Sequence, residues 1–91
     1  GFPVTCRKAS IRGQLVRALE GVGIQTRMLF AGNLTRHPCL TVLDRDAFRT
    51  VVPLEQTDRI AADTFWVGVY PGLSDENVMF IAEQIKRAVK Q

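Results

Sequence analysis

The chain has 91 residues, of which 46% are hydrophobic and 23% are charged, and its net charge is +3. This composition is typical of one soluble globular domain, here over residues 1–91, and argues against the disordered class. No apolar run approaches the roughly 20 residues that span a bilayer, and the start lacks the features of a signal peptide, so we expect a cytoplasmic protein without a membrane partner. The twelve basic residues are scattered along the chain, which is poor support for DNA binding.

The first segment predicts a strand over residues 2–6, where Pro3 fits only near a strand start or at a sheet edge. A chain that begins inside an element and without an initiating Met suggests a piece of a longer protein. Ser10 is expected to cap a helix that ends at Gly21 or Gly23, since glycine readily takes the left-handed backbone that ends helices. The apolar side chains of this helix recur at helical spacing; they are Ile11, Leu15, Ala18, Leu19 and Val22.

Residues 24–30 predict a second, short strand with Ile24, Met28 and Phe30 on one face. Residues 31–56 carry few periodic signals and are compatible with a short helix or an irregular excursion. A structureless loop of this length is uncommon in a small domain and is often functional.

The second half of the chain predicts two helices around the strongest strand. Thr57 is expected to cap a short helix, and residues 65–70 (FWVGVY) predict a strand in which Trp66 and Tyr70 share a face and pack in a core or an interface. Ser74 is expected to cap the last helix. The apolar stripe of that helix comprises Val78, Ile81, Ala82, Ile85 and Val89.

This order of elements predicts an α+β domain: a small mixed or antiparallel sheet of about three strands with helices packed on it. The inventory of reactive groups argues against a self-contained catalytic site. His37 is the sole histidine, and no Ser or Cys near it in sequence forms a nucleophile pair. Cys6 and Cys39 are too few for a disulfide framework and too distant in sequence for a metal motif, so we expect two reduced thiols, at least one of them buried.

The polar segment TRMLFAGNLTRHP, residues 26–38, is the candidate binding site. Arg27 and Arg36 offer forked donors for phosphate or carboxylate. Asn33 tolerates a left-handed backbone and supplies both a donor and an acceptor, and His37 adds a ring that titrates near neutral pH. Two interpretations follow from these residues: a loop that holds an anionic, hydroxyl-rich ligand, or a loop whose side chains satisfy their own backbone and water. The carboxylates that lie among arginines favour solvated surface pairs; they are Asp44, Asp46 and Asp58.

Two long stretches, GIQTRMLFAGNLTRHP and TDRIAADTFWVGVYPGLSDENVMFIAEQI, resemble the C-terminal part of the DegT/DnrJ/StrS family of vitamin B6-dependent nucleotide-sugar aminotransferases and dehydratases. The resemblance covers residues 1–88 and is weakest over residues 39–55. The forms TRMLFAGNLTRHP and DTFWVGVYPGLSDEN look most like the subgroup of sugar 3-dehydratases.

The resemblance implies the small C-terminal domain of a fold type I PLP-dependent transferase. Such enzymes bind pyridoxal or pyridoxamine phosphate (PLP/PMP) and remove the C3 hydroxyl of a CDP-linked 4-keto-6-deoxy sugar, in deoxysugar and O-antigen lipopolysaccharide biosynthesis. In this subgroup a histidine replaces the Schiff-base lysine, and some members add an iron–sulfur cluster and a reductase partner. The resemblance assigns these groups to a large N-terminal domain of a homodimeric parent, so the chain by itself is expected to be catalytically silent. His37 is not that base, and Cys6 and Cys39 are not cluster ligands.

By the same resemblance, the loop after the second strand faces the substrate, which makes Arg27, Asn33, Arg36 and His37 candidates for contacting the sugar or its phosphates. Three alternatives remain open: a nucleotide-sugar aminotransferase of the same family, a dimerisation module without a ligand, and a small stand-alone basic domain that binds nucleic acid. The last would require aromatic and basic residues interleaved on an exposed sheet face, and FWVGVY carries no basic residue.

Overall fold

The fold is a three-stranded antiparallel sheet with two long helices against one face, in a computed structural model that describes residues 1–90. The predicted α+β class and the sheet of about three strands are confirmed. Single 3-10 turns occur at Leu34–Arg36 and Arg45–Ala47. The strands are β1 (Phe2–Thr5), β2 (Thr26–Met28) and β3 (Thr64–Val67), and the helices are α1 (Ala9–Gly21), α2 (Pro38–Thr41), α3 (Glu55–Asp63) and α4 (Asp75–Val89).

The last strand in sequence is the central strand of the sheet, whose order is β1–β3–β2. Both outer strands pair with β3 in antiparallel register, so that Pro3 and Arg27 lie on either side of Trp66. Pro3 therefore lies in an edge strand, as predicted, where its missing backbone donor costs little pairing.

The core lies between the sheet and the helices α1 and α4, and Phe65 and Val67 supply the sheet side of it. Most of the predicted α1 stripe points inward, because Leu15 and Leu19 are buried, but Val22 lies after the helix and is exposed. On α4 the buried residue near the C-terminal end is Ala88, and the predicted stripe positions Val78 and Val89 are exposed, so these two positions were predicted wrongly. The core residues are Cys6, Leu15, Leu19, Ile24, Phe65, Val67 and Ala88.

The strands β2 and β3 are shorter than their sequence predicts. β3 ends at Val67, which is paired with Phe2 on one side and Thr26 on the other. Beyond this residue there is no pairing to β2, which begins at Thr26, and β propensity without a paired neighbour does not sustain a strand. The predicted strand up to Tyr70 is therefore wrong, and the Tyr70 side chain is exposed beyond the sheet.

The predicted apolar face of β2 is also wrong. Ile24 is buried but precedes the strand, and Met28 is partly exposed. Phe30 leaves the strand with φ +47°, a left-handed backbone, and its side chain is 88% exposed. A bulky residue rarely takes this conformation, because its Cβ crowds the backbone.

Of the three predicted helix caps, one is confirmed and two are wrong. The Ser74 Oγ accepts from the Asn77 backbone amide at 3.1 Å, which confirms this cap of α4. Ser10 is not a cap, because the Lys8 carbonyl already accepts from the Ile11 amide at 3.1 Å and α1 begins at Ala9.

Thr57 is likewise inside α3, which begins at Glu55. The Asp58 amide donates to the Leu54 carbonyl at 2.9 Å, so the helical hydrogen bonding starts before Thr57. Gly23, with φ +85°, supplies the left-handed residue that follows α1.

The long middle segment contains the short helix α2 and two 3-10 turns, and none of the residues between Leu40 and Leu54 is buried. The molecule measures 52 × 30 × 20 Å and its radius of gyration is 16.3 Å. A compact domain of this length has a radius of gyration of about 12 Å. The molecule is therefore elongated. In the described part of the chain, no helix is both long enough and apolar enough to cross a bilayer.

Candidate ligand-binding loop

The β2–α2 loop, residues 29–37, brings together three of the four predicted site residues. Asn33, Arg36 and His37 line a shallow depression of about 400 Å³, together with Ala31, Pro38 and Ala61. Because Ala61 belongs to α3, this depression lies between the loop and that helix. Arg27 lies in β2 and is not among the lining residues.

Gly32 allows the loop to approach α3 closely. Its φ is +66°, and a Cβ at this position would lie 3.0 Å from the Ala61 Cβ. Glycine satisfies both the left-handed backbone and the lack of space. The predicted left-handed tolerance of Asn33 is not used, since Asn33 has an extended backbone with φ −104°.

Asn33 is buried, and both ends of its amide group are occupied within the chain. Its Oδ1 accepts from the Thr35 backbone amide at 3.0 Å and from the Thr35 Oγ1 at 2.6 Å, which caps the turn Leu34–Arg36. Its Nδ2 donates to the Asp58 Oδ1 at 2.8 Å. Asn33 is therefore a supporting residue of the loop, because its contacts join the turn Leu34–Arg36 to the Asp58 carboxylate.

Arg36 forms a two-pronged ion pair with Asp58 of α3. Its Nε donates to the Oδ1 and its Nη2 to the Oδ2 of that carboxylate, each at 2.8 Å. The hydrogen bonds from Arg36 and Asn33 lower the pKa of Asp58 to about 2, and the bond to Asp58 raises the pKa of Arg36. The Arg36 side chain remains 70% exposed, so the predicted surface pairing of Asp58 with an arginine is confirmed.

His37 closes the loop on itself. Its Nε2 lies 2.6 Å from the Ala31 carbonyl oxygen, and a proton on Nε2 makes this a hydrogen bond that the ring donates. In the neutral ring, Nδ1 is then an acceptor. His37 also immediately precedes Pro38, the first residue of α2, a position that favours proline because no backbone donor is needed there.

Arg27 lies apart from the other three, on the sheet face opposite to the core. It is the cross-strand neighbour of Trp66, and its Nη1 donates to the carbonyl of Thr26 at 3.2 Å. The chain thus has one exposed arginine beside one half-buried tryptophan on this face. The sequence analysis missed this pair, because the two residues are far apart in sequence and only the strand register joins them.

The sequence analysis also missed the role of Asp58 in the loop. Asp58 is 22 residues from Arg36 and 25 from Asn33. Its identity as an acid among arginines was visible, but the packing of α3 on the loop was not. The side chains of the loop largely satisfy one another, as the second interpretation predicts, and the outer part of Arg36 is exposed.

The other reactive groups do not form a further centre. Within residues 1–90, no group of three or more His, Cys, Asp or Glu side chains could hold a metal ion. Cys6 and Cys39 are both free thiols; Cys6 is buried and Cys39 is exposed. Burial, followed by the nearby Asp63 carboxylate, raises the pKa of the Cys6 thiol.

The chain is thus an α+β domain in which a polar loop lies beside a helix-backed antiparallel sheet. The chain belongs to the DegT/DnrJ/EryC1/StrS aminotransferase family, whose sequence model matches residues 1–86. The family predicted from the two motifs is confirmed, and the observed fold agrees with the small domain of a fold type I PLP-dependent transferase.

Two curated relatives are similar over nearly the whole chain. The lipopolysaccharide biosynthesis protein RfbH of Salmonella typhimurium is 41% identical over 88 residues, which is 94% of this chain and 20% of that protein. The dTDP-4-dehydro-2,6-dideoxy-D-glucose 3-dehydratase of Saccharopolyspora spinosa is 38% identical over 91 residues, which is 98% of this chain and 19% of that protein. The chain thus spans about one fifth of the length of these relatives, and their names support the predicted subgroup of sugar 3-dehydratases.

Proposed function

We propose that the chain is the C-terminal part of a PLP/PMP-dependent nucleotide-sugar 3-dehydratase. The parent enzyme would remove the C3 hydroxyl of an NDP-linked, most simply CDP-linked, 4-keto-6-deoxyhexose in deoxysugar and O-antigen lipopolysaccharide biosynthesis. The observation that carries this proposal is the 41% and 38% identity to RfbH and to a sugar 3-dehydratase, each over more than nine tenths of the chain.

In this proposal the chain recognises substrate and leaves the chemistry to the rest of the parent. The β2–α2 loop supplies a forked cation at Arg36 and a ring nitrogen at His37, which suit the phosphates and hydroxyls of a nucleotide sugar. Asn33 acts from inside the loop, through its bonds to Thr35 and Asp58. Arg27 is the remaining candidate, and it would reach the ligand from the sheet face beside Trp66.

The described residues do not fit a pyridoxal phosphate site. A site for this cofactor must enclose its ring and its phosphate, whereas the depression at the β2–α2 loop is shallow and has Arg36 as the one cationic side chain among the described residues of its lining. We therefore assign the cofactor, which supplies an electron sink when it is bound, to the large N-terminal domain of the parent. The iron–sulfur cluster used by some members of the subgroup is assigned there as well; a reductase would be a separate partner of the parent, and we expect the parent to be a homodimer.

The experiment is an assay of the full-length parent with PMP and with CDP- and dTDP-linked 4-keto-6-deoxy sugars as substrates. Mass spectrometry should detect a product that has lost one water, and residues 1–91 expressed alone should yield none. A product that gains an amino group from glutamate would support the second candidate, an aminotransferase, which the family description favours. Turnover of neither kind, with the cofactor bound, would refute the proposed function.

Nucleic-acid binding has weaker support. Proteins that bind single strands stack successive bases on several aromatic side chains beside a basic groove. Among residues 1–90, the sheet face opposite to the core offers one aromatic side chain beside an arginine, Trp66 next to Arg27, and not a series of them.

A further inference from the structure

Asp58 holds one edge of the Arg36 guanidinium and leaves another edge accessible. The edge formed by Nε and Nη2 is bonded to the two carboxylate oxygens, each at 2.8 Å. We infer that Asp58 is a positioning residue, which orients Arg36 so that its outer edge binds the diphosphate of a nucleotide sugar. This inference rests on the proposed function, because it takes the β2–α2 loop as the part of the chain that contacts the substrate.

The geometry of guanidinium makes this arrangement possible. Arginine has five N–H donors in a rigid plane, and a carboxylate on the Nε side uses two of them. Between residues 1 and 90, Nη1 and the second hydrogen of Nη2 make no hydrogen bond. These donors form the outer edge of a side chain that is 70% exposed, and they can take a phosphate in a second fork.

The carboxylate is itself held from the side of the loop. Asn33 donates to the same Oδ1 at 2.8 Å, and Thr35 holds Asn33 through two bonds to its Oδ1. Asp58 also lies within α3, so its backbone is fixed by the helix. Arg36 is thus braced by a helix and by a buried asparagine, although it lies on an exposed loop.

A second ion pair in the chain provides a comparison, because its arginine is not held in one orientation. Arg59 and Asp63, one turn apart on α3, approach to only 3.9 Å, and that contact is a single one. Among residues 1–90, this pair shows neither the fork geometry nor a third residue that holds the carboxylate through its side chain. Of these two pairs, the one at Arg36 is built for orientation.

The negative charge of Asp58 opposes anion binding, but by less than the orientation contributes. At about 6 Å in water, Coulomb's law gives a repulsion that weakens binding by about threefold. Arginine has rotamer freedom whose loss on binding costs up to about thirtyfold in affinity, and a pre-oriented side chain avoids much of it. The balance predicts that removing the Asp58 carboxylate weakens diphosphate binding by about tenfold.

The test uses the full-length parent enzyme with its cofactor bound, and the probes are CDP and dTDP, with cytidine and thymidine as phosphate-free controls. Calorimetry will identify which of the two nucleoside diphosphates binds. For that diphosphate, Asp58→Asn should raise the dissociation constant by about tenfold, and the dissociation constant of the corresponding nucleoside should not change. With the sugar substrate, KM should rise by a similar factor while kcat stays within about twofold. The matched control is Asp46→Asn, an exposed acid outside the loop, which should change none of these values.

Two further variants separate positioning from a merely structural role. Arg36→Lys keeps the positive charge but cannot form the fork, so it should weaken diphosphate binding about as much as Asp58→Asn does. If Asp58→Asn fails to fold, Arg36→Lys still tests the inference. In the double variant Asp58→Asn with Arg36→Ala, the loss should equal that of Arg36→Ala alone, because Asp58 acts through Arg36. Additive losses, or equal losses for nucleoside and diphosphate, would overturn the inference.

The failure of the proposed function would look different from the failure of this inference. A parent that binds a nucleoside diphosphate in the predicted manner but dehydrates no sugar would refute the dehydratase and leave the role of Asp58 supported. A working dehydratase whose diphosphate affinity is unchanged by Arg36→Ala would refute the role of Asp58 alone. If neither diphosphate binds the wild type, Arg36 does not face a diphosphate and the inference is wrong.

Discussion

Replacing Asn33 with alanine tests whether this residue supports the loop from within. The change removes the cap-type bond to the Thr35 amide, worth about 1 kcal/mol, and the bond to the Asp58 carboxylate. A hydrogen bond to a charged group contributes up to about 3 kcal/mol, but water can reach this partly exposed carboxylate, so we take about 1 kcal/mol for it. The free energy of unfolding should fall by about 2 kcal/mol, which lowers the Tm of a domain of this size by roughly 10 °C.

Asn33→Asp makes the test specific to the contact with Asp58. It keeps an acceptor for Thr35 but places an oxygen where Nδ2 now lies 2.8 Å from the Asp58 Oδ1. The neighbouring carboxylate raises the pKa of the introduced carboxyl group above its ordinary value of about 4. A group whose pKa is raised on folding is stabilising below its unfolded pKa and loses that contribution as pH rises. Asn33→Asp should therefore be less stable than Asn33→Ala at pH 7 and should recover as the pH falls toward 4.

Urea denaturation of the three proteins at pH 7, 5.5 and 4.5 measures both effects. The matched control is Asn77→Ala, an exposed asparagine on α4, whose free energy of unfolding should change by less than about 0.5 kcal/mol. If the loss of unfolding free energy in Asn33→Asp did not depend on pH, the contact between Asn33 and Asp58 would be refuted. A loss for Asn33→Ala no larger than that of the control would refute the supporting role of Asn33 altogether.

Three further changes have defined outcomes. Leu19→Ala should lower the free energy of unfolding by about 3 kcal/mol in urea titrations, because Leu19 is completely buried, whereas Val22→Ala, which is 46% exposed, should cost less than about 1 kcal/mol. Phe30→Gly should raise the free energy of unfolding by about 0.5 kcal/mol and so raise the melting temperature, because glycine takes the left-handed backbone at this exposed position without strain. A lower melting temperature would contradict this prediction. Asp58→Asn should lower stability above pH 4, and the difference from wild type should vanish as the pH falls toward 2, because a depressed pKa gives stability that is lost on acidification through that value.

The predictions that held are those that depend on local chemistry. The inward Leu15 and Leu19 of α1, the Ser74 cap and the left-handed Gly23 each depend on residues within about one or two helical turns. Pro3 at a sheet edge follows from its missing backbone donor. The family also followed from the sequence, because two long motifs were present in one chain.

The predictions that failed have two causes: a strand partner distant in sequence, and local backbone hydrogen bonds that do not depend on a capping side chain. The pairing of β3 with β2 is limited by the start of β2 at Thr26, and no property of FWVGVY indicates that limit. The starts of α1 and α3 are set by backbone hydrogen bonds that form before the first good capping side chain.

The candidate site divides in the same way. The sequence by itself determined the chemistry of the loop: a forked cation at Arg36, an amide at Asn33 and an imidazole at His37 within five residues. The tertiary structure alone decided that Arg27 lies elsewhere and that Asp58 joins the cluster. Hydrogen bonds and ion pairs act over about 3 Å, so their partners are chosen by the packing of α3 against the loop and not by spacing along the chain.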